Sequence, residues 1–115
     1  VCGYVLKRAG LPTIYIAGDT IWCPDVADAI RTHTPDVIVL NAGEAQFLEG
    51  GPIIMGLADV LQVVQAAPKA TIVAVHLEAV NHCMLSREGL RTGLERASVR
   101  STVLIPRDGE EVRLA

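Results

Sequence analysis

Two short apolar runs each end on a residue that can bind a metal ion. Thr13-Ile14-Tyr15-Ile16-Ala17 closes on Gly18-Asp19, and Thr71-Ile72-Val73-Ala74-Val75 closes on His76. A carboxylate and an imidazole at the ends of two buried strands stand where α/β layers usually hold metal ligands and catalytic groups. The carboxylate can also bridge two ions, because its two oxygens bind independently. Asn41 closes a third run, Val37-Ile38-Val39-Leu40, and there it donates to a substrate, orients a ligand, or forms a plain Asn-Ala-Gly turn.

Each of these residues also has a simpler role open to it. Asp19 suits an Asx-turn or a cap at a strand end, and His76 suits a packed, hydrogen-bonded histidine. His82 follows His76 closely, so it either returns toward the site as a supporting donor or substrate contact or lies on a surface loop. Two protein donors are fewer than the three of a catalytic zinc site, and no His-x-His or His-Glu-x-x-His cluster occurs. His33 ends a helix before Thr34-Pro35, where an imidazole suits the helix dipole. Cys23 and Cys83 lack ligand spacing with a histidine and read as small hydrophobes. Trp22 walls a pocket or packs a helix start. Arg87 reaches an anionic substrate or stays a solvated first-turn charge.

Positioning these groups requires a sheet with covering helices. Tyr4 to Arg8, a turn at Ala9-Gly10-Leu11-Pro12 and Thr13 to Ala17 predict a hairpin. Pro24 starts a helix with Val26, Ala27 and Ile30 on one face, ended by Thr34-Pro35. Asp36 opens the strand Val37 to Leu40. A long ordered loop, holding Phe47, is expected from Asn41 to Met55. A helix over Asp59 to Ala67 stops at Pro68, and the strand ending at His76 follows. Ser86 is the expected N-cap of a last helix carrying Leu90, Leu94 and Ala97. Val103 to Ile105 forms the final strand before a Pro106-Arg107-Asp108-Gly109 turn. Strand-helix-strand units of the usual hand make successive strands parallel, so Asp19, Asn41 and His76 should meet at one sheet edge.

Composition narrows the class further. A chain of 115 residues holds one core, and with 50% apolar but only 3% aromatic residues that core is built from Val, Ile, Leu and Ala. This palette favours covered parallel strands. A net charge of −3 and few aromatic residues argue against nucleic acid as a partner. Three cysteines without close pairing suit a reducing cytoplasm, and no apolar run is long enough to span a membrane. The opening Val1-Cys2-Gly3-Tyr4 reads as the interior of a longer protein.

Tyr-Ile-Ala-Gly-Asp-Thr at 15 to 20, Pro35 to Leu40, Val73-Ala74-Val75-His76 with Asn81-His82, and Ile105-Pro106-Arg107-Asp108-Gly109-Glu110 resemble the C-terminal half of metallo-β-lactamase-fold hydrolases. The likeness is greatest to the branch of L-ascorbate 6-phosphate lactonase-like proteins, and it covers essentially the whole chain. It implies one half of a four-layer αββα sandwich, here a mainly parallel sheet with a hairpin and covering helices, with metals held at one edge between the halves. On this resemblance Asp19 matches the bridging aspartate and His76 the final histidine ligand, and His82 joins them in the expected catalytic set. The family's His-x-His-x-Asp-His motif would precede Tyr4, and this sequence does not contain it.

The expectation is therefore a single unit, residues 1 to 115, forming the C-terminal portion of a domain whose N-terminal half is absent. As part of a complete protein it would serve a metal-dependent hydrolase acting on a lactone, cyclic ester or phosphodiester through metal-bound water. One or two Zn²⁺ ions are expected, with Mn²⁺ or Fe²⁺ as alternatives. The expected partners are a small-molecule substrate, anionic ones included, and the missing half or a complementing chain; self-association is allowed, and neither nucleic acid nor membrane is expected. On its own the 115-residue chain is expected to be inactive. The alternative is a non-enzymatic binding or structural domain with an incomplete or degenerate metal site. A receiver-like domain phosphorylated on Asp19 is disfavoured, since the paired acidic residues that would hold Mg²⁺ are lacking.

Overall fold

A computed structural model describes residues 3–43, 54–77, 85–99 and 102–113. Five strands form one sheet: β1 (Tyr4–Leu6), β2 (Ile14–Ile16), β3 (Val37–Asn41), β4 (Thr71–Val75) and β5 (Val103–Leu104). Their order across the sheet is the order of the chain. β1 and β2 are antiparallel, forming the expected hairpin, and the other three pairings are parallel. Among the described residues three helices connect the parallel strands: α1 (Pro24–His33), α2 (Leu57–Ala66) and α3 (Arg87–Arg96).

Local chemistry accounts for the helix limits. Pro24 opens α1 in the first turn, where its missing N–H costs nothing. Thr34 ends it in the left-handed region (φ 40°), a position reinforced by Pro35, which disfavours the right-handed helical region for the residue before it. α2 begins two residues earlier than the apolar pattern indicates, because Asp59 sits at its third position and accepts the Gly56 N–H at 3.1 Å. Ser86 caps α3 as expected, its Oγ accepting the Gly89 N–H at 3.0 Å.

The core lies between the helices and one face of the sheet. Tyr15, Ile38, Leu40, Ile72 and Ala74 alternate toward Val26 and Ile30 of α1, Val60, Val63 and Val64 of α2, and Leu90 and Leu94 of α3. The period of two along a strand puts Tyr4, Leu6, Ile14, Ile16, Val39 and Val75 on the opposite face. Among the described residues no helix packs on that face. Tyr4 and Leu6 are 61% and 53% exposed there. A hollow of about 500 Å³ indents its hairpin end, lined by Leu6, Leu11, Pro12, Ile14 and Val112 among others. Among the described residues no helix is long and apolar enough to cross a membrane.

Three strands are shorter than the sequence reading, β2 spanning Ile14–Ile16 where Thr13 to Ala17 is expected. β1 stops at Leu6 because Lys7 and Arg8 are exposed charges that gain nothing from the sheet, and β5 stops at Leu104, two residues before Pro106. The loop expected from Asn41 to Met55, with Phe47, falls mostly outside the described residues.

Candidate metal centre

Register brings three polar residues together at the carboxyl edge of the sheet. Ile16 pairs with Val39, and Ala17 continues the ladder by donating its N–H to the Val39 carbonyl at 3.0 Å. Gly18 therefore comes level with Asn41, and Asn41 pairs with Val75, immediately before His76. The ends of β2, β3 and β4 thus present Asp19, Asn41 and His76 side by side. Two strand spacings separate the outer pair, about 10 Å along the sheet.

Asp19 is exposed and follows a glycine in the left-handed region, Gly18 with φ 77°, which turns the chain out of the strand. Its Oδ1 accepts a hydrogen bond from Asn41 Nδ2 at 2.7 Å. The acceptor is a carboxylate, so the amide presents its NH₂ group there. The Asn41 backbone is held in turn: its carbonyl accepts the Met55 N–H at 3.1 Å, and Ala42 N–H donates to the Val75 carbonyl at 2.9 Å.

His76 is half-buried, with φ 66°. A non-glycine residue in this region carries a backbone cost of about 1–2 kcal/mol, and such outliers cluster at functional sites.

The loop after Asp19 is anchored to the core. Trp22 is half-buried against the core cluster, and its N–H donates to Asp59 Oδ1 at 3.2 Å. Cys23 is a half-buried free thiol with its sulfur 3.8 Å from Thr20 Oγ1. Tyr15 lies beneath this loop at 6% exposure. Burial holds its phenol above the ordinary tyrosine range, and the charges of Cys23 and Asp25 push in the same direction.

Arg87 is engaged by the C-terminal segment, donating from Nε to the Pro106 carbonyl at 3.0 Å and pairing through Nη2 with Asp108 at 2.5 Å. His33 is half-buried in the last turn of α1, with a buried Nδ1 that has no hydrogen-bond partner. His82, its neighbours Asn81 and Cys83, and Cys2 lie outside the described residues. Sequence reasoning missed the tie between Asp59 and Trp22, since nothing in local periodicity marks a bond across 37 residues.

Asp19 and His76 are chemically suitable donors for a zinc-like ion, but they are two. Among the described residues no group of three or more His, Cys, Asp or Glu side chains is placed to hold a metal ion. These residues alone do not make a complete metal site.

No family model matches the chain. It is 46% identical over 110 residues to UPF0173 protein YddR of Bacillus subtilis strain 168, a match that covers 96% of this chain and 43% of that protein. A possible metal-dependent hydrolase from Veillonella parvula superposes with a TM-score of 0.89 at 40% identity, over 94% of this chain and 42% of the other. An isothiocyanate hydrolase from Delia radicum gut bacteria gives 0.92 at 42% identity, over 97% and 44%. Igni18, a metallo hydrolase from Ignicoccus hospitalis, shares the fold with a TM-score of 0.72 at 20% identity. The chain spans a little under half the length of each, so over nearly all of its residues it is homologous to one part of larger proteins, among them a possible metal-dependent hydrolase and an isothiocyanate hydrolase.

Proposed function

We propose that these residues, taken alone, form a non-catalytic half-domain with an incomplete metal site, and that within a complete protein the half serves a metal-dependent hydrolase. The observation that carries the first clause is the shortage of donors: Asp19 and His76 stand at one sheet edge without a third among the described residues. The second clause is supported by similarity to hydrolases of about twice the length. In this reading the missing layers are a second sheet and its helices. They would cover the apolar face of Tyr4, Leu6, Ile14, Ile16, Val39 and Val75 and complete a four-layer sandwich.

Within the complete site Asp19 would hold and orient one or two divalent ions, Zn²⁺ or alternatively Mn²⁺ or Fe²⁺, and His76 would add a neutral nitrogen donor. His82 remains part of the proposed set. Such an ion supplies Lewis acidity toward a carbonyl or phosphoryl oxygen and a nucleophilic water at neutral pH. The chain's own contribution is placement: three parallel strand ends fix a carboxylate, an amide and an imidazole in a row.

The substrate is a small molecule with an electrophilic centre open to water. A lactone or other cyclic ester follows from the ascorbate-lactonase-like resemblance, a phosphodiester is the alternative, and an isothiocyanate follows from the 42% identical hydrolase. The test compares residues 1 to 115 with the complete protein for zinc content and for hydrolysis of one member of each class. The proposal expects less than one tightly held ion and no turnover from the short chain, with both restored in the complete protein. Turnover by the short chain at the rate of the complete protein would overturn the first clause. A complete protein that holds no metal and hydrolyses nothing would overturn the second.

A further inference from the structure

We propose that Asn41 is a positioning residue for the metal-binding carboxylate, its side-chain amide holding Asp19 through Oδ1 so that Oδ2 is the oxygen presented to an ion. The inference rests on the reading of Asp19 as a ligand and extends it to a residue that binds no ion itself.

The bond is short for an N–H···O contact, 2.7 Å, as expected when the acceptor is charged. Its two partners differ in how firmly the backbone holds them. Asn41 closes β3 in register with Val75, and ladder-like bonds continue on both sides of it, from Met55 N–H to its carbonyl and from Ala42 N–H to the Val75 carbonyl. Asp19 has left the ladder after Gly18 and is exposed. An exposed carboxylate outside the ladder therefore takes its orientation from a donor held within it.

A turn-forming role explains less. An asparagine that serves only a turn bonds its own backbone two residues on. The Asn41 amide instead reaches the end of the neighbouring strand, 22 residues away in sequence. With Oδ1 engaged by the amide, Oδ2 keeps both lone pairs for coordination. The pull is toward β3, and so toward the side of the sheet edge on which His76 lies.

Cobalt(II) serves as the probe, because its visible absorption reports the geometry of its ligands. The complete protein and its Asn41→Ala and Asn41→Leu variants are stripped of metal, checked for folding by circular dichroism, and titrated with cobalt. Neither replacement can donate to Asp19, and leucine keeps the branched heavy-atom skeleton of asparagine while alanine removes it. The proposal expects both variants to fold, to bind cobalt about 10- to 100-fold more weakly, and to show an altered visible band. If one fails to fold, the other decides. Wild-type affinity and an unchanged band in a folded variant would overturn the proposal, and failure of both to fold would assign Asn41 to strand stability and overturn it as well. A wild-type protein that gives no cobalt band overturns the ligand reading itself and this inference with it.

Discussion

The Asp59 carboxylate accepts the backbone N–H of Trp22 through Oδ1 at 3.2 Å while its Oδ2 accepts that of Gly56 at 3.1 Å. One side chain in the first turn of α2 thus caps its own helix and pins the loop that follows Asp19. Asp59→Ala should lower stability by about 1–2 kcal/mol, as loss of a helix cap does, and should loosen residues 20 to 23 as well. Urea unfolding gives the first effect and amide hydrogen exchange at Trp22 the second; unchanged exchange at Trp22 would refute the anchoring role.

Alkaline stability should depend on Tyr15. Burial, with Cys23 and Asp25 adding to it, raises the phenol's pKa in the folded state above its unfolded value. The folded protein then holds that proton more tightly than the unfolded chain does. The stability this contributes is complete below the unfolded value, about 10, and is lost as pH rises through the folded one. Tyr15→Phe should flatten the fall in melting temperature above about pH 10. An identical alkaline profile in the variant would count against it.

Gly93→Ala should destabilise the protein although alanine is the better helix former. A Cβ on Gly93 would lie 2.4 Å from Leu57 Cδ2 and 2.9 Å from Cδ1, where α3 crosses the start of α2. The propensity gain is about 1 kcal/mol, and overpacking costs about 1–3 kcal/mol. The denaturation midpoint should fall, and Leu57→Ala in the same chain should recover part of the loss.

In the complete protein, Asp19→Asn should cost more metal and more turnover than His76→Ala, since it removes the charge that offsets the ions, while loss of one neutral donor leaves a position water can fill. High zinc should partly restore the His76 variant. His76→Gly should lose metal like His76→Ala yet fold more stably, because φ 66° suits glycine. His33→Ala should leave both metal measures unchanged. Metal analysis at two zinc concentrations checks the set.

Residues 1 to 115 by themselves should self-associate through the sheet face that carries Tyr4, Leu6, Ile14 and Ile16. Covering one such aliphatic side chain contributes about 1.5–3 kcal/mol, and a contiguous exposed apolar patch favours association. Sedimentation should show oligomers, and Leu6→Lys with Ile16→Lys should shift them toward monomer. A monomer at high concentration without these changes would argue that the face is covered from within.

Strand and helix existence was legible because burial imposes periods of two and 3.6 on the apolar residues, and Pro24, Pro35, Pro68 and Ser86 mark the ends. The meeting of Asp19, Asn41 and His76 at one edge was legible too, since parallel crossovers align strand ends. The bond between Asn41 and Asp19 was not, because it depends on the offset between two strands, which side-chain packing sets. Asp59 stood only as the first residue of an expected helix, and its hold on Trp22 requires α1 and α2 to be packed first. The Arg87 side chain could not be placed either, since its partners Pro106 and Asp108 belong to a segment with no apolar period.

A sheet whose spatial order repeats the order of the chain can be assembled by addition alone. Each strand joins an edge that its predecessor has just made, and none has to be inserted between two already paired. Each step from β2 to β5 joins strands that are neighbours in the chain, so the entropy of bringing distant segments together is met in small portions. On a ribosome, the hairpin, then β3 with α1, then β4 with α2 can dock as they emerge, each burying part of the helix-side core before the next arrives.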